Sequence, residues 1–243
     1  MKREIRKWWS PNLEKDMEVA VYGHYGYALL MFPTAEANYL EYEQYGLIDS
    51  IMDFINSGTL KAYVVNNINN ESWLNRHINP VQMAVRQQLY NSYIADEVIP
   101  FIKTNCNGDV PVIVTGASLG AFHAANTFFR RPDLFSGLIA LSGTYSLKEY
   151  TGGFCDDNVY FNSPAEFLPN LTDENVLEQM RNKNIVIAAG NGEYEDPQAA
   201  REFSDILHAK NIPHWLDIWG YDIEHDWPTW KKMLPYFLNN LNI

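Results

Sequence analysis

The hydrophobic positions of this chain follow two alternating periods. Short runs rich in β-branched residues predict strands at residues 17–22, 27–32, 60–65, 112–115, 137–141, 184–189 and 214–219. Between them lie stretches with apolar residues three and four apart, the helical period. Residues 39–56 carry a mixed helical pattern that breaks near Gly46. Residues 80–103 predict a long amphipathic helix with an apolar face through Val81, Val85, Leu89, Ile94, Val98 and Ile102. Further helices are predicted over 118–130, stopped by Arg131-Pro132-Asp133, over 197–209 and over 227–241.

Strands that alternate with helices of this length need crossover connections, which build a parallel sheet. The expected fold class is therefore α/β: a mostly parallel central sheet with helices on both faces. Only Gly23-His24-Tyr25-Gly26 separates the strands at 17–22 and 27–32, so these two are expected to pair antiparallel at the sheet edge. Residues 144–178 show no clear period and follow a strand, as an inserted lid or pocket wall would. With no repeat, linker or low-complexity tract, 1–243 reads as a single domain.

Composition narrows the function classes. The formal net charge is −12, which excludes the basic footprint of a nucleic-acid binder. Hydrophobic residues make up 47%, enough for a globular core. Cys106 and Cys155 lack metal-ligand spacing and read as free thiols of a reducing compartment. The basic start, Lys2-Arg3-Glu4-Ile5-Arg6-Lys7-Trp8-Trp9, has no apolar run after it, and no stretch has the length of a membrane span. A cytoplasmic protein is the expectation. No dinucleotide fingerprint, phosphate loop or metal-ligand spacing occurs, so no cofactor or metal is expected.

The chemistry is concentrated at Val112-Ile113-Val114-Thr115-Gly116-Ala117-Ser118-Leu119-Gly120. A strand running into Gly-x-Ser-x-Gly and then a helix is the context of a nucleophile elbow, the sharp turn that lifts a serine hydroxyl above an α/β-hydrolase sheet. A serine needs a base, and in that fold the chain order is Ser, acid, His. This order excludes His24 and His77. His123 lies on the elbow helix, His208 inside a helix, and His214 at the wrong end of the last strand. His225, in the loop between the last strand and the last helix, is the expected base. The acid should follow the strand at 184–189, where Gly192-Glu193-Tyr194-Glu195-Asp196-Pro197 offers three carboxylates. Glu195 stands ahead of Glu193, and Asp196 also suits a helix N-cap. An oxyanion hole would use the N–H of Leu119 and a second from the loop after the strand at 27–32. Pro33 has no N–H, which leaves Thr34 or Ala35. That loop lacks the glycines usual at such a site. The polar loop Asn66-Asn67-Ile68-Asn69-Asn70-Glu71-Ser72 is read as solvated, and Tyr145, Tyr160 and Trp227 as residues that could wall a pocket or simply pack.

Three segments carry a resemblance. Gly116 to Asn126, Arg131-Pro132-Asp133-Leu134-Phe135-Ser136-Gly137 with Leu141-Ser142-Gly143, and Gly220-Tyr221-Asp222-Ile223-Glu224-His225-Asp226-Trp227 with Trp230 resemble the esterase family. That family includes esterase D (S-formylglutathione hydrolase), feruloyl esterases and the mycobacterial mycolyltransferases. The resemblance implies an α/β-hydrolase fold and a serine carboxylesterase acting on a small ester, with Ser118 and His225 at the family's nucleophile and base. The acid matches only as a loop. Two other readings stay open: acyl transfer to an alcohol or sugar acceptor, and a non-catalytic binding module on the same fold. Neither a membrane nor a nucleic acid is an expected partner, and the sequence leaves a homo-oligomer open.

Overall fold

Eight strands form one sheet in the order β1-β2-β4-β3-β5-β6-β7-β8. They are β1 (Arg3–Ser10), β2 (Lys15–Tyr22), β3 (Tyr27–Phe32), β4 (Leu60–Val65), β5 (Val112–Ala117), β6 (Gly137–Leu141), β7 (Asn184–Ala189) and β8 (Trp215–Ile218). From β4 across to β8 all pairs are parallel, and β1 and β2 add an antiparallel edge. The structure is a computed structural model and describes residues 2–241; the first and last residues of the expected domain, Met1 and Asn242-Ile243, lie outside the described residues.

The expected pairing of 17–22 with 27–32 is corrected. β4 lies between these strands, antiparallel to β2 and parallel to β3. The glycine turn carries the chain over β4 rather than into a hairpin, with Gly23 at φ 106° and Gly26 at φ 101°. The physical reason is burial. Every residue of β4 is buried, and a strand buried on both faces belongs inside a parallel sheet. The partner of β2 is β1, formed by the basic segment at the start of the chain. Its alternating exposure suits an edge strand with one solvated face.

The helices are α1 (Glu41–Gln44), α2 (Leu47–Ser50), α3 (Met52–Asn56), α4 (Pro80–Tyr93), α5 (Ile99–Asn105), α6 (Leu119–Arg130), α7 (Lys148–Thr151), α8 (Asp157–Phe161), α9 (Pro164–Phe167), α10 (Glu174–Arg181), α11 (Pro197–Ala209) and α12 (Trp227–Asn240). The helical pattern at 39–56 resolves into α1 to α3, with Gly46 in the left-handed region at the break. One apolar layer joins one face of the sheet to residues of α4 to α6 and α11, and the other joins the opposite face to α1 to α3 and α12. The predicted helix at 80–103 contains a π-turn at Ile94–Val98 between α4 and α5. Its predicted face is corrected for the first half: Val81, Val85 and Leu89 are exposed, and Met83, Ala84, Gln87, Tyr90 and Tyr93 are buried. Residues 144–178 form α7 to α9 and the start of α10. Leu147, Tyr150 and Val159 of that segment pack with Leu119 and Phe122 of α6 and with Trp73, Leu74 and Ile78. Among the described residues, no helix is long and apolar enough to cross a membrane.

Candidate active site

Ser118 stands where β5 turns into α6. Its φ of 56° and ψ of −127° lie outside the regions favoured by side chains, at a cost of about 1–3 kcal/mol. The bend leaves no room for side chains on either flank. A Cβ on Gly116 would meet the Gly120 carbonyl carbon at 2.3 Å, and one on Gly120 would meet the Phe32 carbonyl oxygen at 2.2 Å. Hydrogen bonds hold both neighbouring strands to the turn. The Ser118 N–H donates to the Leu141 carbonyl at 2.9 Å. The Ala117 N–H donates to the Tyr42 hydroxyl at 3.2 Å, whose own proton goes to the Phe32 carbonyl at 2.5 Å. The Ser118 backbone is thus fixed, and the residue stands half-buried at the C-terminal edge of the sheet, where open parallel sheets place their chemistry.

Glu195 and His225 face each other from the loops that follow β7 and β8, at the same edge of the sheet. Nδ1 of His225 lies 3.7 Å from Oε2 of Glu195, whose side chain is 0% exposed. Both atoms are buried and neither has another hydrogen-bond partner. The other carboxylate oxygen accepts from the Ser142 hydroxyl at 2.6 Å, and that hydroxyl accepts from the Trp230 indole N–H at 3.0 Å. Trp230 also sets its ring edge-on to His225 at 5.2 Å. The loops are tied backbone to backbone: the His225 N–H donates to the Glu193 carbonyl at 3.0 Å, and the Gly192 N–H to the Ile223 carbonyl at 2.9 Å. Among the described residues no hydrogen bond joins Ser118 to His225. Their link runs through β6, where Leu141 binds the Ser118 backbone and Ser142 binds Glu195.

The other two carboxylates of that loop go elsewhere. Asp196 accepts from the Ala199 N–H at 3.0 Å and caps α11. Glu193 is exposed and contributes its carbonyl to His225. The pair expected of the oxyanion loop also separates. The Thr34 N–H donates to Glu41 at 2.8 Å, so it has no proton left for a ligand, and this expectation is corrected. Burial raises the Glu41 carboxyl above the ordinary carboxylate range, against the lowering effect of its bonds from Thr34. The N–H groups of Ala35 and Leu119 have no intramolecular acceptor among the described residues. For Leu119 this follows from its place at the head of α6, where helix N–H groups lack partners.

Other expectations resolve as packing. Tyr145 is buried and stacks on Phe203 at 4.1 Å. Trp227 stacks on Tyr45 at 4.4 Å. His123 is fully buried, and burial pulls its imidazole down to about 3. Sequence reasoning missed Ser142, Tyr42 and Glu41, and it misread the loop at 66–72: Asn69 and Ser72 are buried. Consecutive asparagines in the loop after β4, the strand beside β3, were the available signal. Two surfaces meet at Ala35. One is the apolar cluster of Leu119, Ala35, Leu74, Ile78 and Tyr150. The other is a cleft of about 390 Å³ lined by Ala35, Glu36, Asn38, Gln44 and Tyr45. Among the described residues no group of three or more His, Cys, Asp or Glu side chains is placed to hold a metal.

The profile of the family described as "Putative esterase" matches residues 10–241. No curated protein sequence matches the chain. Solved structures share its fold. A ferulic acid esterase aligns with TM-score 0.76 and 17% identity over 99% of both chains. The S-formylglutathione hydrolase of Staphylococcus aureus aligns with TM-score 0.74 and 15% identity over 98% of this chain and 97% of its own. MPT51 of Mycobacterium tuberculosis aligns with TM-score 0.71 and 13% identity over 99% of this chain and 97% of its own.

Proposed function

The chain belongs to this esterase family, and from that premise we propose that it is a serine hydrolase that cleaves a small carboxylic ester through Ser118, His225 and Glu195. The observation that carries the reading is the buried Glu195 carboxylate facing Nδ1 of His225, with both atoms otherwise unpartnered, at the same sheet edge as a serine held in a strained turn. Glu195 holds the imidazole with Nδ1 protonated, so Nε2 carries the lone pair that a base needs. The 3.7 Å separation closes to a hydrogen bond with a small ring rotation, as such bonds commonly tighten only when substrate is bound.

In the proposed reaction the Ser118 oxygen attacks the ester carbonyl while Nε2 of His225 takes the serine proton. The carbonyl oxygen becomes an oxyanion, held by the N–H groups of Leu119 and Ala35. The carbon–oxygen bond to the alcohol breaks, and His225 gives its proton to the leaving oxygen. Water then attacks the acyl-enzyme with its proton passing to His225, and the acid departs as Ser118 is reprotonated. Residues 144–178 supply an apolar wall to the acyl-bearing side through the half-buried Tyr150, backed by the buried Leu147, within the single domain of 1–243.

Ser118→Ala tests the mechanism. It is expected to abolish turnover of a short p-nitrophenyl ester and labelling by a fluorophosphonate probe, with the thermal midpoint of unfolding kept. Full activity in the variant sinks the mechanism, and a wild-type protein that neither turns over esters nor takes the probe is a binding module instead. Product analysis with added alcohol separates hydrolysis from acyl transfer.

A further inference from the structure

The second oxyanion donor lies on a loop, Pro33-Thr34-Ala35-Glu36, with no glycine to let a peptide turn freely. Something else must aim it. A trans peptide points its C=O and the following N–H in opposite directions, and no cis peptide occurs among the described residues. Whatever grips the Thr34 carbonyl therefore sets the direction of the Ala35 N–H.

Two asparagines make that grip. Asn67 donates its amide to the Thr34 carbonyl at 3.2 Å and to the Ala37 carbonyl at 2.7 Å. Asn69 donates to the Thr34 carbonyl at 3.4 Å and to the Ala35 carbonyl at 2.8 Å. The side chain of Asn67 in turn accepts from the Asn69 N–H at 3.1 Å. With its NH₂ spent on the loop, Asn69 must present Oδ1 on its other side, and there it meets Nε2 of His123 at 2.6 Å. An oxygen facing that nitrogen requires Nε2–H, so His123 is a neutral donor in a single tautomer. Phe32, Tyr90 and Phe122 pack around its ring. Its Nδ1 is buried with no partner, so a ring flip would trade the only bond it makes for none. His123 sits five residues after Ser118 on the same helix. The relay thus references the loop donor to the helix that carries the nucleophile and the first donor.

We propose that His123, Asn69 and Asn67 are positioning residues that hold the Ala35 N–H on the oxyanion. The proposal rests on the serine esterase reading and adds residues that touch no substrate. Its test keeps the two separable. Labelling of wild-type Ser118 by a fluorophosphonate, with ester turnover, establishes the parent reading; absence of both overturns that reading and this inference with it. Where the wild type labels and turns over, unlabelled Asn69→Ala and His123→Phe are expected to lower kcat at least tenfold with KM within about twofold, a fraction of the 10²–10³-fold loss when a whole oxyanion donor is removed. His123→Gln, which keeps a donor near Asn69, is expected to recover most of that loss. Affinity for a trifluoromethyl ketone, which forms a tetrahedral adduct on the serine, should fall in step with kcat/KM, while affinity for the product acid stays put. A purely structural role moves both affinities or neither, and that result overturns the proposal, as does unchanged kcat in folded variants. Should the buried-site variants fail to fold, Asn67→Ala at the half-buried end of the relay decides: kcat equal to wild type refutes the role.

Discussion

Three carboxylates within four residues meet three different surroundings, and chemistry follows the surroundings rather than the residue type. Glu195 is sealed beside His225 and held by Ser142, Asp196 spends its oxygen on a helix cap, and Glu193 faces solvent. Glu195→Gln is therefore expected to lower kcat by roughly 10⁴-fold, the loss seen when the orienting acid of a triad loses its charge. Glu193→Gln should leave kcat within about twofold. Asp196→Ala should cost about 1 kcal/mol of stability through the lost cap, with little change in kcat. Steady-state kinetics beside thermal melts on the three variants checks this, and a dominant effect at Glu193 would refute it. His123 gives a pH signature. Its imidazole is near 3 in the fold and near 6.5 unfolded. Between those values only the unfolded chain binds the proton, so this residue's contribution is full above pH 6.5 and declines as pH falls, by up to about 1.4 kcal/mol per pH unit. The stability gap between wild type and His123→Gln should then narrow from pH 7 to pH 4 in urea titrations; a gap that does not change would show that burial does not control this group.

At the scale of elements, α4 shows how a hydrophobic pattern misleads. Val81, Val85 and Leu89 trace a helical stripe yet face solvent. The buried side carries Gln87 and Tyr90, whose polar atoms are paired inside: Gln87 accepts from the Trp73 indole at 2.8 Å, and the Tyr90 hydroxyl donates to the Asn66 carbonyl at 2.8 Å. A buried polar atom with a partner costs little, so these residues can outrank valine for a core position. Val85→Lys is expected to shift stability by less than about 0.5 kcal/mol, and Tyr90→Ala to cost about 3–5 kcal/mol. Denaturant titration of both variants checks the order, and a larger loss at Val85 would reverse the assignment. The misplacing of β2 beside β3 has a related cause. A short turn says that two strands lie close, but a strand buried on both faces can still insert between them.

Across the whole molecule, charge is the property with a kinetic consequence. The net charge is −12, and the loops around the site carry Glu36, Glu193, Asp222, Glu224 and Asp226 against the exposed Arg76 and a Lys148 paired with Glu166. A negative rim repels anionic substrates on approach, and salt screens that repulsion over about 10 Å at 0.1 M. For an ester bearing a free carboxylate, kcat/KM is expected to rise several-fold between 10 and 300 mM salt (roughly the range over which the Debye length falls from 30 Å to below 10 Å). A neutral ester of the same acyl group should change little. A stopped assay series across ionic strength checks this, and parallel responses of the two esters would rule out electrostatic control.

What the sequence determined by itself was everything local in the chain. Strand and helix periods, the tight Gly116-Ala117-Ser118-Leu119-Gly120 bend and the loop position of His225 depend on residues within a few places of one another, so they are legible without coordinates. Tertiary structure decided whatever depends on groups brought together from far apart. It placed β4 between β2 and β3, put Glu195 rather than its neighbours against His225, and drew Asn67, Asn69 and His123 behind the loop at 33–38. The strand order turns on the burial of β4 and the other two on which polar atom finds which partner, and a partner such as Asn69 for His123, 54 residues away, leaves no period or spacing in the chain to read.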